Sequence, residues 1–392
     1  MKRTVTLALL SILLVAAIIM KPDEAFRASL QGLTVWWNIV FPGLLPFLTL
    51  LELMTAFGVV HAFGTLLQPL MHKLFRLPGE AGVAVAFGWT GGFPCGAEAT
   101  SSLRKSGALT AAQGNRLLAL AHMPNPIFII VVVGTGFLHR PELGVAILLV
   151  VWLAALAPAL ALARLAKRER AESASPPPAN LLRRAAAAMR DARKRDGRSF
   201  GKLLGDGVTA AVYKLMAVGG FMIFCAVLVR LLAPAIPGIV PAYALPGLIE
   251  SHIGSYAAAT ASFAGGLPWK AAAAAAVLSW GGFSAMLQAG AAVIGAGLSL
   301  RLLAVSRVLQ SAIAFLLMLL AWKPISRLTD GIAPAFSAFS GREATSFVPS
   351  GAVRASELHT LWPYAPAVLL AFVGALLLLS ALSAIAAKLR LR

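Results

Sequence analysis

Gly88-Trp89-Thr90-Gly91-Gly92-Phe93-Pro94-Cys95-Gly96-Ala97-Glu98-Ala99-Thr100-Ser101-Ser102 follows an apolar run and precedes the basic pair Arg104-Lys105. Glycine weakens a helix interior, and proline removes a donor and clashes with the preceding turn. No helix runs unbroken through this stretch. At membrane depth, broken backbone is tolerated only where it is buried in protein or lines a wet cavity. A second stretch, Ser279-Trp280-Gly281-Gly282-Phe283-Ser284, repeats its centre much later in the chain.

The surrounding composition places the break in a membrane. The 392 residues are 59% hydrophobic and 12% charged, where soluble domains carry about 25% charged residues. Mean hydropathy is +0.82. The expected fold is an all-α polytopic membrane protein with roughly eight to ten membrane segments. The net charge of +19 does not indicate a nucleic-acid partner. Its basic residues sit in loops between apolar runs, where they set topology and meet anionic lipid. Cys95 and Cys225 lie in separate apolar regions, with no disulfide framework or metal-ligand cluster in the pattern.

Outward from the break, spans are expected at residues 4–20, 33–58, 143–163, 207–232, 302–322 and 362–387. The first reads as an uncleaved span, since Lys21-Pro22-Asp23 follows it with no small-x-small cleavage pattern. Pro42 and Pro46 predict a kink in the second. Residues 59–77 read as amphipathic, lying in the interface or leading into the core. Thr110 is a plausible N-cap for a helix over 110–121. Pro124-Asn125-Pro126 breaks the chain again, and residues 247–263 read as one helix. Residues 164–202 hold twelve Lys/Arg against four Asp/Glu around a Pro-rich joint at 173–178. This linker is expected to be cytoplasmic, as is the N-terminus, with helix 181–194 on the surface against anionic headgroups. The resulting division is 1–32 first helix and connection, 33–163 first repeat, 164–205 linker, 206–387 second repeat with a polar loop at 323–360, and 388–392 basic tail.

The two repeats share an ordered set of residues. Trp89-Thr90-Gly91-Gly92-Phe93 pairs with Trp280-Gly281-Gly282-Phe283. Asn115-Arg116-Leu117-Leu118 pairs with Ser306-Arg307-Val308-Leu309, at Gly-to-Arg offsets of 25 and 26. Glu52 and Glu250 precede the breaks at looser offsets of 39 and 31. Each half then contains three crossings and a re-entrant broken hairpin, which inverts one half against the other. Inverted repeats with discontinuous helices are the pattern of secondary transporters. The basic tail opposes this, because inversion places it outside.

A helix restarting in the membrane presents unsatisfied N–H groups and a positive dipole end, which favour an anion. The candidate substrate-binding residues are Gly92, Pro94, Gly96, Ser101 and Asn125 in the first half and Gly282, Ser284 and Gln288 in the second. Arg116 and Arg307 add positive charge if they face inward. Glu52, Glu98 and Glu250 are candidates for a proton or coupling ion, because intramembrane acids are functional by default. The plainer alternative for these groups is hydrogen bonding between helices. No HExxH, GxSxG or Walker loop appears, and the six histidines are scattered. No enzyme, cofactor or metal site is expected. A homo-oligomer is compatible with the sequence.

At these residues the chain resembles the sporulation integral membrane protein YlbJ family, whose members carry nucleoside-recognition (Gate) domains. Trp36-Trp37 with Phe41-Pro42-Gly43-Leu44-Leu45-Pro46-Phe47, then Gly58-Val59-Val60-His61 and Leu67-Gln68-Pro69-Leu70-Met71, look like that family's start. Gly91-Gly92-Phe93-Pro94-Cys95-Gly96-Ala97 matches its first break, and Ser279–Ser284 with Gln288 its second. The similarity covers about residues 30–325. It implies a multi-pass protein of the outer forespore membrane that moves dipicolinic acid, an aromatic dicarboxylate, in support of cortex formation and dormancy. Glu98 stands where the family often has Lys, and Cys95 where it often has Ser. Two other functions stay open: a nucleoside-type transporter, and a non-transporting structural or recruiting protein that works through the basic linker.

Overall fold

The computed structural model describes residues 2–166 and 180–327, and every regular element in them is helical. The Pro-rich joint, most of the polar loop, the last expected span and the basic tail lie outside the described residues. Helix α1 (Lys2–Met20) leads into α2 (Pro22–Val35), which starts on a proline followed by Asp23 and Glu24. A first-turn proline lacks only a donor that would go unused, and the acids suit the positive end. A π-helical turn, Trp36–Val40, passes into α3 (Phe41–Ala56), so the second span runs for 35 residues. Pro42 cannot donate to the Asn38 carbonyl, and the ladder widens just before it.

The rest of the first half is α4 (Val59–Leu70), α5 (Ala81–Gly91), α6 (Cys95–Lys105), α7 (Ala111–Ala121), the π-helical segment Phe128–Phe137 and α8 (Pro141–Leu165). Thr110 caps α7 as expected: its hydroxyl accepts from Gln113 N at 3.2 Å, and Gln113 Oε1 accepts from Thr110 N at 2.9 Å. The second half holds α9 (Leu181–Asp196), α10 (Phe200–Leu232), α11 (Ala244–Ile249), α12 (Ser251–Thr260), α13 (Leu267–Trp280), α14 (Gly282–Ala292) and α15 (Leu300–Leu320). Among the described residues, five stretches are long and apolar enough to cross a membrane: 22–56, 141–165, 200–235, 267–292 and 300–320. Shorter apolar helices at 8–20, 81–91 and 128–137 supply further segments.

The core joins the halves. Helices α8, α13 and α15 pack together with the Phe128–Phe137 segment. Ala271–Ala275 of α13 are fully buried, and side chains this small let helix backbones approach closely in a membrane. Helix α10 lies along α2 and α3, where Trp36 donates its indole N–H to the Leu215 carbonyl at 2.9 Å and covers Gly219. The outer faces of α1 and α10 expose Leu9, Ile12, Leu13, Met216 and Phe224, as a lipid-facing surface does.

Of the two readings of residues 59–77, the structure takes the one that leads into the core: α4 packs into the bundle, with Gly64 against the Val83 backbone of α5. Helix α9 is strapped onto α4. Its Ala185 and Ala192 are buried, Met189 meets Gly58, and Arg184 donates to Gln68 Oε1 at 2.6 Å.

Candidate functional site at four helix breaks

In the first half, α5 ends at Gly91 and α6 starts at Cys95, folded back along α5. Gly88 and Gly96 close the hairpin, and the Ala121 carbonyl at the end of α7 fits between them, where any Cβ would collide with it. Trp89 donates to the neighbouring Leu120 carbonyl at 2.9 Å. Gly92 has φ +78°, and a Cβ there would lie 2.6 Å from Asn125 Cβ. Asn125 stands in the gap after α7. Its amide donates to the Gly91 carbonyl at 3.1 Å, and its oxygen caps the next helix by accepting from Ile127 N at 2.8 Å and Phe128 N at 3.1 Å.

The second half builds the same scheme from different elements. The expected single helix over 247–263 is broken at Glu250, which is extended between α11 and α12. Gly254 thereby comes into backbone contact with Gly247, and both pack on the Val277 side chain of α13. Trp280, at the end of α13, donates to the Leu248 carbonyl of α11 at 3.0 Å. Gly282 has φ +81°, and its Cβ position lies 2.9 Å from Glu250 Cα. Glu250 caps α12 by accepting from Ile253 N at 2.8 Å. Trp, positive-φ glycine, helix-end carbonyl and capping side chain thus recur as Trp89, Gly92, Leu120, Asn125 and as Trp280, Gly282, Leu248, Glu250. The chain order differs: the motif precedes its capped helix in the first half and follows it in the second.

The two schemes touch. A Cβ on Gly281 would meet the Phe93 ring at 2.9 Å, and Phe93 stacks on His122 with centroids 4.4 Å apart. His122 Nε2 lies 3.2 Å from the Ala285 carbonyl in the first turn of α14, and Phe128 lies 4.3 Å from the His252 ring. Arg307 of α15 reaches in from the core, fully buried. It donates to Gln310 Oε1 at 2.5 Å, to the Ala119 carbonyl at 3.1 Å and to the His122 carbonyl, and it contacts Met123 Sδ. Gln310 carries the chain on to the Val151 carbonyl at 3.0 Å. The guanidinium therefore caps the broken end of α7. Its Nε and His122 Nδ1 have no hydrogen-bond partner, and no carboxylate among the described residues pairs with it. Buried charge in a membrane protein is costly and is normally compensated.

The sequence candidates separate accordingly. Gly92, Asn125, Gly282 and Glu250 are brought together at the breaks. Pro94 precedes α6 and Ser284 sits buried in the first turn of α14, so both mark helix N-termini that no side chain caps. Gln288 is half-buried one turn beyond Ser284, and no hydrogen bond among the described residues engages either side chain. Gly96 is a packing glycine of the hairpin. Ser101 is buried with its hydroxyl unpartnered, one turn beyond Ala97, which packs against Leu118, Met286 and Ala289. Glu52 forms an ion pair with Lys214 of α10 at 2.5 Å, and exposed Glu98 lies within electrostatic reach of the same lysine. The expected Arg116–Arg307 equivalence fails: Arg116 donates to the Arg76 carbonyl at 3.0 Å, away from the breaks. The second motif also departs from the expected hairpin, because α14 turns away from α13 and the two barely touch. The sequence reading missed the Glu250 break, His252 and the fit of Arg307 onto α7. The intramembrane Glu250 with His252 two residues on was the available signal for the acid–imidazole pair, though not for the break.

A cavity of about 460 Å³ opens next to this locus, between α2, α10 and α11–α12. Glu24, Arg27, Gln31, Arg230, Ile253 and Tyr256 line it, with Arg230 paired to Glu24 at 3.2 Å. Its volume falls within the range of small-molecule sites.

Discontinuous helices meeting in an apolar bundle define a polytopic membrane protein, and the family model described as nucleoside recognition (Gate) matches residues 38–153. The chain is 32% identical over 344 residues to the sporulation integral membrane protein YlbJ of Bacillus subtilis, covering 82% of this chain and 83% of the relative. It belongs to the YlbJ family of multi-pass membrane proteins. No solved structure matches it.

Proposed function

We propose that this chain is a secondary transporter of a small anionic solute, with dipicolinate the candidate that the family resemblance supplies and sporulation the setting that its relative's name suggests. The carrying observation is Arg307, a buried guanidinium without a carboxylate partner among the described residues, holding the broken end of α7 at His122, whose ring meets Phe93 of the first break and the Ala285 carbonyl of α14. An anion there meets positive charge and the uncapped N-termini of α6 and α14. Transport proceeds by alternating access: the halves rock about the breaks, with no ATP chemistry.

Uptake of labelled dipicolinate and of labelled nucleosides into vesicles holding the purified full-length protein tests this. Saturable dipicolinate uptake, competed by other small dicarboxylates and not by nucleosides, is expected. Nucleoside uptake alone moves the assignment to the nucleoside class that the Gate description names. Vesicles that take up neither support the non-transporting alternative.

A further inference from the structure

Asn125 and Glu250 hold the same place in their two schemes, but only Glu250 titrates. Glu250 is 2% exposed. Its carboxylate accepts from Ile253 N at 2.8 Å, from His252 Nδ1 at 2.5 Å and from Ser251 Oγ at 3.4 Å. With the imidazole proton on Nδ1, the lone pair is on Nε2, and no hydrogen bond among the described residues takes it up. Phe128 packs on the imidazole, and the Gly282 backbone of α14 lies on Glu250. Cys225 is within electrostatic reach from α10, and Val277 of α13 presses on the α11–α12 clasp. Among the described residues His252 is the basic partner Glu250 has, and no lysine or arginine pairs with it.

We infer that Glu250 and His252 form a proton-carrying pair that couples proton movement to movement of the anion through the neighbouring site; this rests on the transport reading above. A proton from water adds to the Nε2 lone pair, leaving an imidazolium hydrogen-bonded to the carboxylate. The pair passes from one negative charge to none, and release of the proton reverses the step. The N-terminus of α14, where the anion is held, abuts Glu250 through Gly282. An unprotonated pair repels an anion there, and a protonated pair does not. Anion and proton therefore bind with positive coupling, which by linkage is reciprocal. The His252 side chain keeps 18% of its surface exposed against 2% for Glu250, so the imidazole is the member of the pair through which a proton enters.

The test uses the full-length protein in phosphatidylethanolamine–phosphatidylglycerol vesicles with labelled dipicolinate. Each variant is read twice, as counterflow without a pH gradient and as accumulation under an imposed one. Wild type accumulates dipicolinate under the gradient, and a protonophore abolishes this. In Glu250→Gln and His252→Gln the ratio of gradient-driven to gradient-free transport falls about tenfold. Where Glu250→Gln does not fold, His252→Gln carries the test, since its ring lies outside the α12 cap. A folded variant with an unchanged ratio overturns the inference, as does a wild type that performs counterflow but ignores the gradient. A wild type that moves no solute overturns the transport reading, and the coupling with it.

Discussion

The first-half and second-half breaks solve one backbone problem with different chemistry. In each, a tryptophan ties the broken helix to a neighbouring helix-end carbonyl, and a positive-φ glycine lies against the residue that caps the next helix. The first half uses a neutral amide and closes its remaining carbonyls with Arg307. The second half uses an acid backed by an imidazole. The site is thus fixed in charge on one side and titratable on the other. Similar motifs also need not make similar turns. Phe93 is followed by Pro94, and three residues separate α5 from the returning α6. Phe283 is followed by Ser284, which keeps its N–H, and α14 resumes at Gly282 directly after Gly281, both glycines having positive φ.

Substitutions at matched positions probe that difference. Gly92→Ala forces a positive φ on a residue with a Cβ and drives that Cβ into Asn125, so it should cost about 3 kcal/mol of stability. Gly282→Ala meets the Ile249 carbonyl at 2.8 Å and the Glu250 backbone at 2.9 Å, and should cost slightly less, about 2 kcal/mol. Thermal unfolding in detergent ranks the two, and equal or reversed costs would break the comparison. Trp89→Phe and Trp280→Phe have smaller effects, because each removes one indole donor worth about 1 kcal/mol. Both indoles are half-buried, Trp89 stacked on Trp152 at 5.3 Å and Trp280 edge-on to Phe283 at 5.7 Å, so the two costs should be alike. Hydrogen exchange at the amides following Leu120 and Leu248 would register the loosening of each helix end.

The breaks at Gly91–Pro94, His122–Pro126 and Gly281–Gly282 were legible in the sequence because glycine and proline act on the local backbone. The long apolar spans and the Thr110 capping box were legible for similar local reasons. Glu250 was not. Leu248-Ile249-Glu250-Ser251 carries no residue that forbids a helix, and the break there depends on Glu250 capping α12 and on Val277 seating against Gly247 and Gly254. Arg307 was legible as a charge but not as a cap, since the His122 carbonyl it binds lies 185 residues earlier in the chain. Matching it to Arg116 by offset failed because equal spacing after two motifs does not give equal direction once one motif folds back and the other turns away.

The central claim is that the break locus holds an anion through Arg307. Equilibrium binding of labelled dipicolinate to the purified full-length protein, comparing wild type with Arg307→Lys and Arg307→Gln, tests it most directly. Wild type should bind saturably. Arg307→Lys keeps the charge but loses the planar fork, so it should bind more weakly, and folded Arg307→Gln should lose at least tenfold in affinity, about 1.4 kcal/mol. Wild-type affinity in folded Arg307→Gln would contradict the account.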